Sequence, residues 1–222
     1  MRRLAIAIAL VFVVGTVQAG PWNVSDLHTG SLLTLHDGPG TTNGGVFVAK
    51  RASDGSEWFR TFCVETGEYI TFGTKYEVVI NTKAVYGGNG PGGDTISKGT
   101  AALFLRFWNT PDAQITAAIA DDYQRAIWEL EGEGNYTIES SLESWLQSVL
   151  GAPGTDYANW KEDYDPTSSS VRVLNLYAPG HAGEDAYRKQ DQLVVIPEPA
   201  TLSLLGLALL GGGLLARKRR TV

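Results

Sequence analysis

Residues 31–65 read SLLTLHDGPGTTNGGVFVAKRASDGSEWFRTFCVE. Short β-branched and aromatic runs alternate here with Gly, Asn and Asp clusters, the pattern of strands joined by tight turns. Strands are expected at 31–35, 45–50 and 57–65, with another at 75–85. The breaks are Asp37-Gly38-Pro39-Gly40, Asp54-Gly55 and the glycine-rich run from Gly87 to Gly93. That last run is read as a loop and not as a phosphate cradle. Lys98-Gly99-Thr100 does not supply the Lys-Ser/Thr pair that a phosphate-binding loop needs at its helix.

Helical periodicity begins near Ser97. Helices are expected at 101–108, at 111–131 with Pro111-Asp112 as its start, and at 140–150, opened by Ser140 or Ser141. Strand pattern returns at 171–177 and 192–196. The fold class that follows is α+β: a mainly antiparallel sheet or sandwich with a helical insertion between strands. The polar turn 167–170 is no domain linker, since the closing strands are expected to complete the first sheet.

A chain of 222 residues with 43% apolar and 19% charged side chains can bury one core, which excludes a disordered or collagen-like chain. The net charge of −6 gives nucleic-acid phosphates no basic face. The single cysteine excludes an intramolecular disulfide.

Both ends read as addresses. Arg2 and Arg3 precede an apolar run from Leu4 to Val14, and Val17-Gln18-Ala19 has the small-x-small form of a signal-peptidase site. Residues 1–19 are therefore expected to be a signal peptide, leaving a body of residues 20–196. At the other end Pro197-Glu198-Pro199 precedes an apolar stretch from Thr201 to Ala216, and Arg217, Lys218, Arg219 and Arg220 follow. About sixteen apolar residues can just span a bilayer as a helix, with the basic cluster held in the cytoplasm. Without Arg2, Arg3, the four basic residues of the tail and Glu198, the body keeps twelve basic and twenty-three acidic side chains. Such a body is repelled by anionic lipid, so membrane contact falls to the tail.

The triplet, apolar helix and basic cluster, in that order over residues 197–222, resemble the PEP-CTERM sorting tail of Gram-negative bacteria. The resemblance implies cleavage near the triplet by an exosortase. It also implies delivery of the body to the cell envelope or the extracellular matrix, after transient anchoring by the C-terminal helix.

Within the body two residues stand out. Cys63 is a lone cysteine in an exported chain. It is either a small buried hydrophobe or a reactive group. Gln124 lies in the long helix. With Ile127 at zero on a helical wheel, Ala120 falls near 20°, Trp128 near 100°, Leu130 near −60° and Ile119 near −80°. Gln124 falls at about 60°, inside that apolar arc, while Asp121, Asp122, Arg125 and Glu129 take the opposite one. An amide aimed into the core either bonds a strand backbone or serves chemistry.

Phe62-Cys63-x-Glu65, followed sixty-one residues after the cysteine by Gln124-Arg125-Ala126-Ile127-Trp128, resembles the thioester domain of bacterial surface adhesins. Tyr123 departs from the threonine frequent before that glutamine, and the proline often found after the cysteine motif is absent. The resemblance implies that Cys63 sulfur and the Gln124 carboxamide carbon join with loss of ammonia, and that an amine-bearing surface or matrix protein is then acylated. Phe62, Ile127 and Trp128 would shield the bond from water. Glu65 either orients a nucleophile or faces solvent, and Trp128 is first a packing residue.

Two rivals stay open. One is a non-covalent structural or carbohydrate-binding matrix module with a buried free Cys63, for which Trp108, Trp145 and Trp160 are the candidate platform. The other is a Cys-dependent hydrolase or transferase that needs His28, His36 or His181 beside Cys63. The histidines lack ligand spacing, so no metal is expected, nor is a cofactor. The leading reading is binding chemistry without turnover, not an enzyme.

Overall fold

The computed structural model describes residues 22–41, 44–85, 93–167 and 170–197. The expected signal peptide, most of the glycine run, Glu198, Pro199, the C-terminal apolar stretch and the basic cluster lie outside them. Among the described residues no helix is long and apolar enough to cross a membrane.

The strands are β1 (Leu32–Asp37), β2 (Phe47–Arg51), β3 (Glu57–Thr61), β4 (Lys75–Asn81), β5 (Lys83–Ala84), β6 (Asp94–Thr95), β7 (Val171–Tyr177) and β8 (Arg188–Val195). The helices are α1 (Lys98–Trp108), α2 (Ala117–Glu131) and α3 (Ser140–Leu150). Six strands form one sheet in the order β3-β2-β1-β4-β7-β8, every neighbour antiparallel, and β5 pairs with β6 alone. The fold is α+β as the sequence implies, built on one sheet and not on a sandwich of two.

That sheet curls until its two edges meet. The chain leaving β3 runs against β8. Leu193 N donates to Phe62 O at 3.1 Å, Val64 N donates to Asp191 O at 3.1 Å, and Cys63 bridges to Gln192. Thr61 Oγ1 stitches the same seam, donating to Leu193 O at 2.6 Å and accepting from Leu193 N at 3.0 Å. Closing an edge this way removes a row of unpaired backbone groups.

The third strand is therefore shorter than its apolar run: it ends at Thr61, and residues 62–65 turn into the seam. The closing strand is longer than expected, because pairing with β7 reaches back to Arg188 across a bulge. The long helix also departs from expectation. Pro111-Asp112 opens only one tight turn (Asp112–Gln114). Ile115 is then extended, and α2 starts at Ala117, capped by Thr116, whose Oγ1 accepts from Ile119 N. Gly132 ends α2 in the left-handed conformation, where glycine has no Cβ to clash. Ser97 caps α1, and the Glu139 carboxylate, not a serine, caps α3.

Helices α1 and α2 cover the curled sheet. Phe62 packs edge-on against Phe107 at 4.6 Å and stacks on Tyr123 at 6.1 Å, while Phe104 and Trp108 extend the cluster to Phe59. This aromatic layer fixes the segment before Cys63 against the helix that carries Gln124.

Glu131 ties α2 to α1 by accepting from Ser97 N at 2.9 Å. Burial pushes its carboxyl from 4.5 up to about 7, against hydrogen bonds from Thr100 and Ser97 that pull it down. A carboxyl raised by folding stabilises fully below its unfolded value, and that contribution is lost as pH climbs toward the folded value. Urea midpoints should accordingly fall between pH 4.5 and 7, and Glu131→Gln should remove part of that fall.

Candidate functional site

The β3–β8 seam and α2 bring Cys63 and Gln124 together. Cys63 Sγ donates to Gln124 Oε1 at 3.4 Å, and Gln124 Nε2 donates to Cys63 O at 2.9 Å. Gln124 is 0% exposed, and Cys63 is equally buried. The two contacts hold the carboxamide against the cysteine, with Oε1 beside the sulfur. The backbone-bonding alternative holds: the amide nitrogen satisfies the Cys63 carbonyl, while Oε1 meets the Cys63 thiol.

The pair forms the floor of a cleft of about 740 Å3. Trp128, Tyr136, Tyr69 and Phe72 wall it, and Thr41 and Gly44 border it. Gly44 lies close against Gln124 and Trp128. A Cβ on Gly44 would lie 2.9 Å from Gln124 Cγ and 3.0 Å from the Trp128 ring. Gly44 also has φ +147°, which disfavours a side chain. Asp121, one turn before Gln124, accepts from Thr41 N at 2.8 Å and holds that loop in place.

Burial pushes the Cys63 thiol far above its ordinary value, and the nearby Glu65 charge adds to the shift. The Trp128 indole opposes it. Trp128 Nε1 is buried with no hydrogen-bond partner among the described residues, a donor available to developing negative charge. The site thus disfavours a free thiolate and favours neutral species.

The other residues singled out in the sequence fall as follows. Phe62 and Ile127 are fully buried, beneath and beside the pair. Trp128 is both packing residue and cleft wall, at 8% exposure. Glu65 does not face solvent: it is 2% exposed, and its Oε2 accepts from Asp191 N at 3.3 Å. Glu129, placed on the polar arc, is buried and paired with Lys161 at 2.7 Å. Ile119, placed on the apolar arc, is exposed. Trp108 and Trp160 are buried, so with Trp145 they make no carbohydrate platform.

No histidine lines the cleft. His36 Nε2 meets Thr34 Oγ1, His28 bonds Thr29 O, and His181 stacks on Tyr187 beside Glu184. The Cys-His arrangement that a hydrolase requires is thereby missing around Cys63.

Sequence reasoning overlooked Gly44, Thr41 and Asp121 as the loop clamp, and Glu68 and Asp191 as neighbours of Glu65. The Gly44-Gly45 pair was the one local signal. Nothing local marks Asp191, which is 126 residues from Glu65.

The described chain ends just past β8, where Ile196 N donates to Ser170 O at 2.8 Å and Pro197 is exposed. Residues 195–220 match the PEP-CTERM protein-sorting motif. The motif implies an exported protein, transiently membrane-anchored and processed by an exosortase. It covers the tail alone, beginning two residues before the expected boundary. Comparison with curated proteins and with solved structures gave no match.

Phe62 holds the seam to both helices, so its truncation should be costly. Phe62→Ala is expected to lower unfolding free energy by about 3–5 kcal/mol in urea titrations.

Proposed function

We propose that the exported body forms an internal thioester between Cys63 and Gln124 and uses it to attach covalently to an amine-bearing surface or matrix partner. The supporting observation is the paired contact: sulfur on Oε1, amide nitrogen on the cysteine carbonyl, both buried at the floor of a cleft open to solvent.

The steps balance without a cofactor. The Cys63 thiol adds to the Gln124 carboxamide carbon. The C–N bond breaks, the thiol proton leaves with the amide nitrogen as ammonia, and an S–C bond remains. Positioning supplies what a poor electrophile lacks, because the reactants are already in contact. Trp128 Nε1 is placed to donate to charge developing at the site. Forming the thioester also removes a buried ionisable thiol, which suits a pocket that penalises charge. Phe62, Ile127, Trp128 and the Gly44 loop keep water from the product.

An amine entering the cleft then attacks the acyl carbon. A new amide forms on residue 124, and the Cys63 thiol is released. Each molecule reacts once, so this is attachment chemistry without turnover. Exosortase sorting delivers the body where such partners lie.

Exported protein incubated with methylamine should gain one amine on residue 124 and release one titratable thiol per molecule. Cys63→Ala and Gln124→Ala should do neither. Gly44→Ala, which pushes on Gln124 and Trp128, should lower the reactive fraction several-fold while the fold persists. Wild-type protein that takes up no methylamine and presents its thiol from the start would overturn the reading.

A further inference from the structure

Next to Cys63 the fold gathers acidic groups, and one of them, Glu68, lines the same cleft as Gln124. Glu65, Glu68 and Asp191 each place a carboxylate oxygen within 4.8 Å of the others. Glu65 comes from the segment after β3, Glu68 from the turn beyond it, and Asp191 from β8. Asp191 Oδ2 accepts from Val85 N, and Arg188 Nε meets Glu68 Oε1 at 3.1 Å. Arg188 and, by its charge, Lys189 offset Glu68, while Glu133 adds to the negative field on Glu65. Buried charge of one sign needs a counter-charge.

A second observation lies outside the acids. Asn175, on β7 and 1% exposed, rests its carboxamide against Asp191. Its Nδ2 donates to Lys83 O at 3.0 Å. Its Oδ1 is buried with no hydrogen-bond partner among the described residues. Glu65 Oε1 and Glu68 Oε2 are bare in the same way. Three buried oxygen acceptors, two in the acidic cluster and one on the residue that bonds Asp191, therefore lack a donor among the described residues.

We propose that Glu65, Glu68, Asp191 and Asn175 form a site for a calcium-like divalent cation. An all-oxygen donor set suits a hard cation. Ligands about 2.4 Å from a shared calcium ion are at most about 5 Å apart, which matches the spread of these carboxylates. Calcium also tolerates irregular geometry and completes its shell with water, which the cleft beside Glu68 can supply. Magnesium, held to a small octahedron, fits the uneven set less well. Bound there, the ion ties residues 65–68 to β7 and β8 and so fixes the segment that presents Cys63. The site does not involve the sulfur and is independent of the thioester.

The test is calcium titration of exported protein stripped with chelator, read by calorimetry and by the thermal midpoint. One ion per chain is expected, with an affinity of order 10⁻⁴–10⁻³ M, as in extracellular modules. The midpoint should rise with calcium and saturate, and magnesium should raise it less. Glu68→Gln, at the half-buried edge of the cluster, should keep the fold and weaken binding at least tenfold. Glu65→Gln and Asp191→Asn should do the same. Cys63→Ala should bind calcium like wild type, which separates this site from the thioester. Wild-type protein showing no saturable binding at millimolar calcium would overturn the proposal. So would binding left unchanged in Glu68→Gln, whose circular dichroism reports its fold.

Discussion

The seam between residues 61–64 and β8 is the contact on which the rest of the structure depends. It closes the sheet on itself through Leu193 N to Phe62 O and Val64 N to Asp191 O. Cys63 sits between those two bonds, so its backbone cannot drift. Its side chain projects toward α2, which Phe62 presses into place through Phe107 and Tyr123. Had β3 continued straight to Glu65, the sulfur would follow a free sheet edge and not the face of a packed helix.

The seam explains the electrostatics as well. Drawing residues 63–68 against β8 buries Cys63, Glu65 and Asp191 together. Burial raises the pKa of all three acids. The proposed acyl–sulfur bond would relieve the penalty on the thiol. The carboxylates have no such outlet and must hold protons or a cation. The Gln124 carboxamide lies beside the thiol and the Asn175 carboxamide beside Asp191.

Much of this layout was legible along the chain. Strand periodicity and turn residues placed the strands, and the apolar arc of α2 placed Gln124 inward before any contact was known. What failed did so for tertiary reasons. Residues 62–65 are as strand-like as 57–61, and only the meeting with β8 diverts them. Asp112 has the chemistry of a helix start, yet extended Ile115 breaks the run and Thr116 caps the helix instead. Glu129 reads as surface until Lys161 arrives to pair with it. Histidine spacing carries no signal for the cluster of Glu65, Glu68 and Asp191, because only the sheet closure brings residues 65–68 against β8.

The tail and the body answer different questions. The sorting motif accounts for export and processing, and the body accounts for what is delivered. The central claim about the body is a covalent bond. Its most direct test is the intact mass of exported protein denatured in acid, compared with its Cys63→Ala variant. The account predicts a wild-type mass one ammonia below that of the sequence, and a variant mass with no such deficit. A wild-type mass equal to that of the processed sequence, in freshly isolated protein, would contradict it.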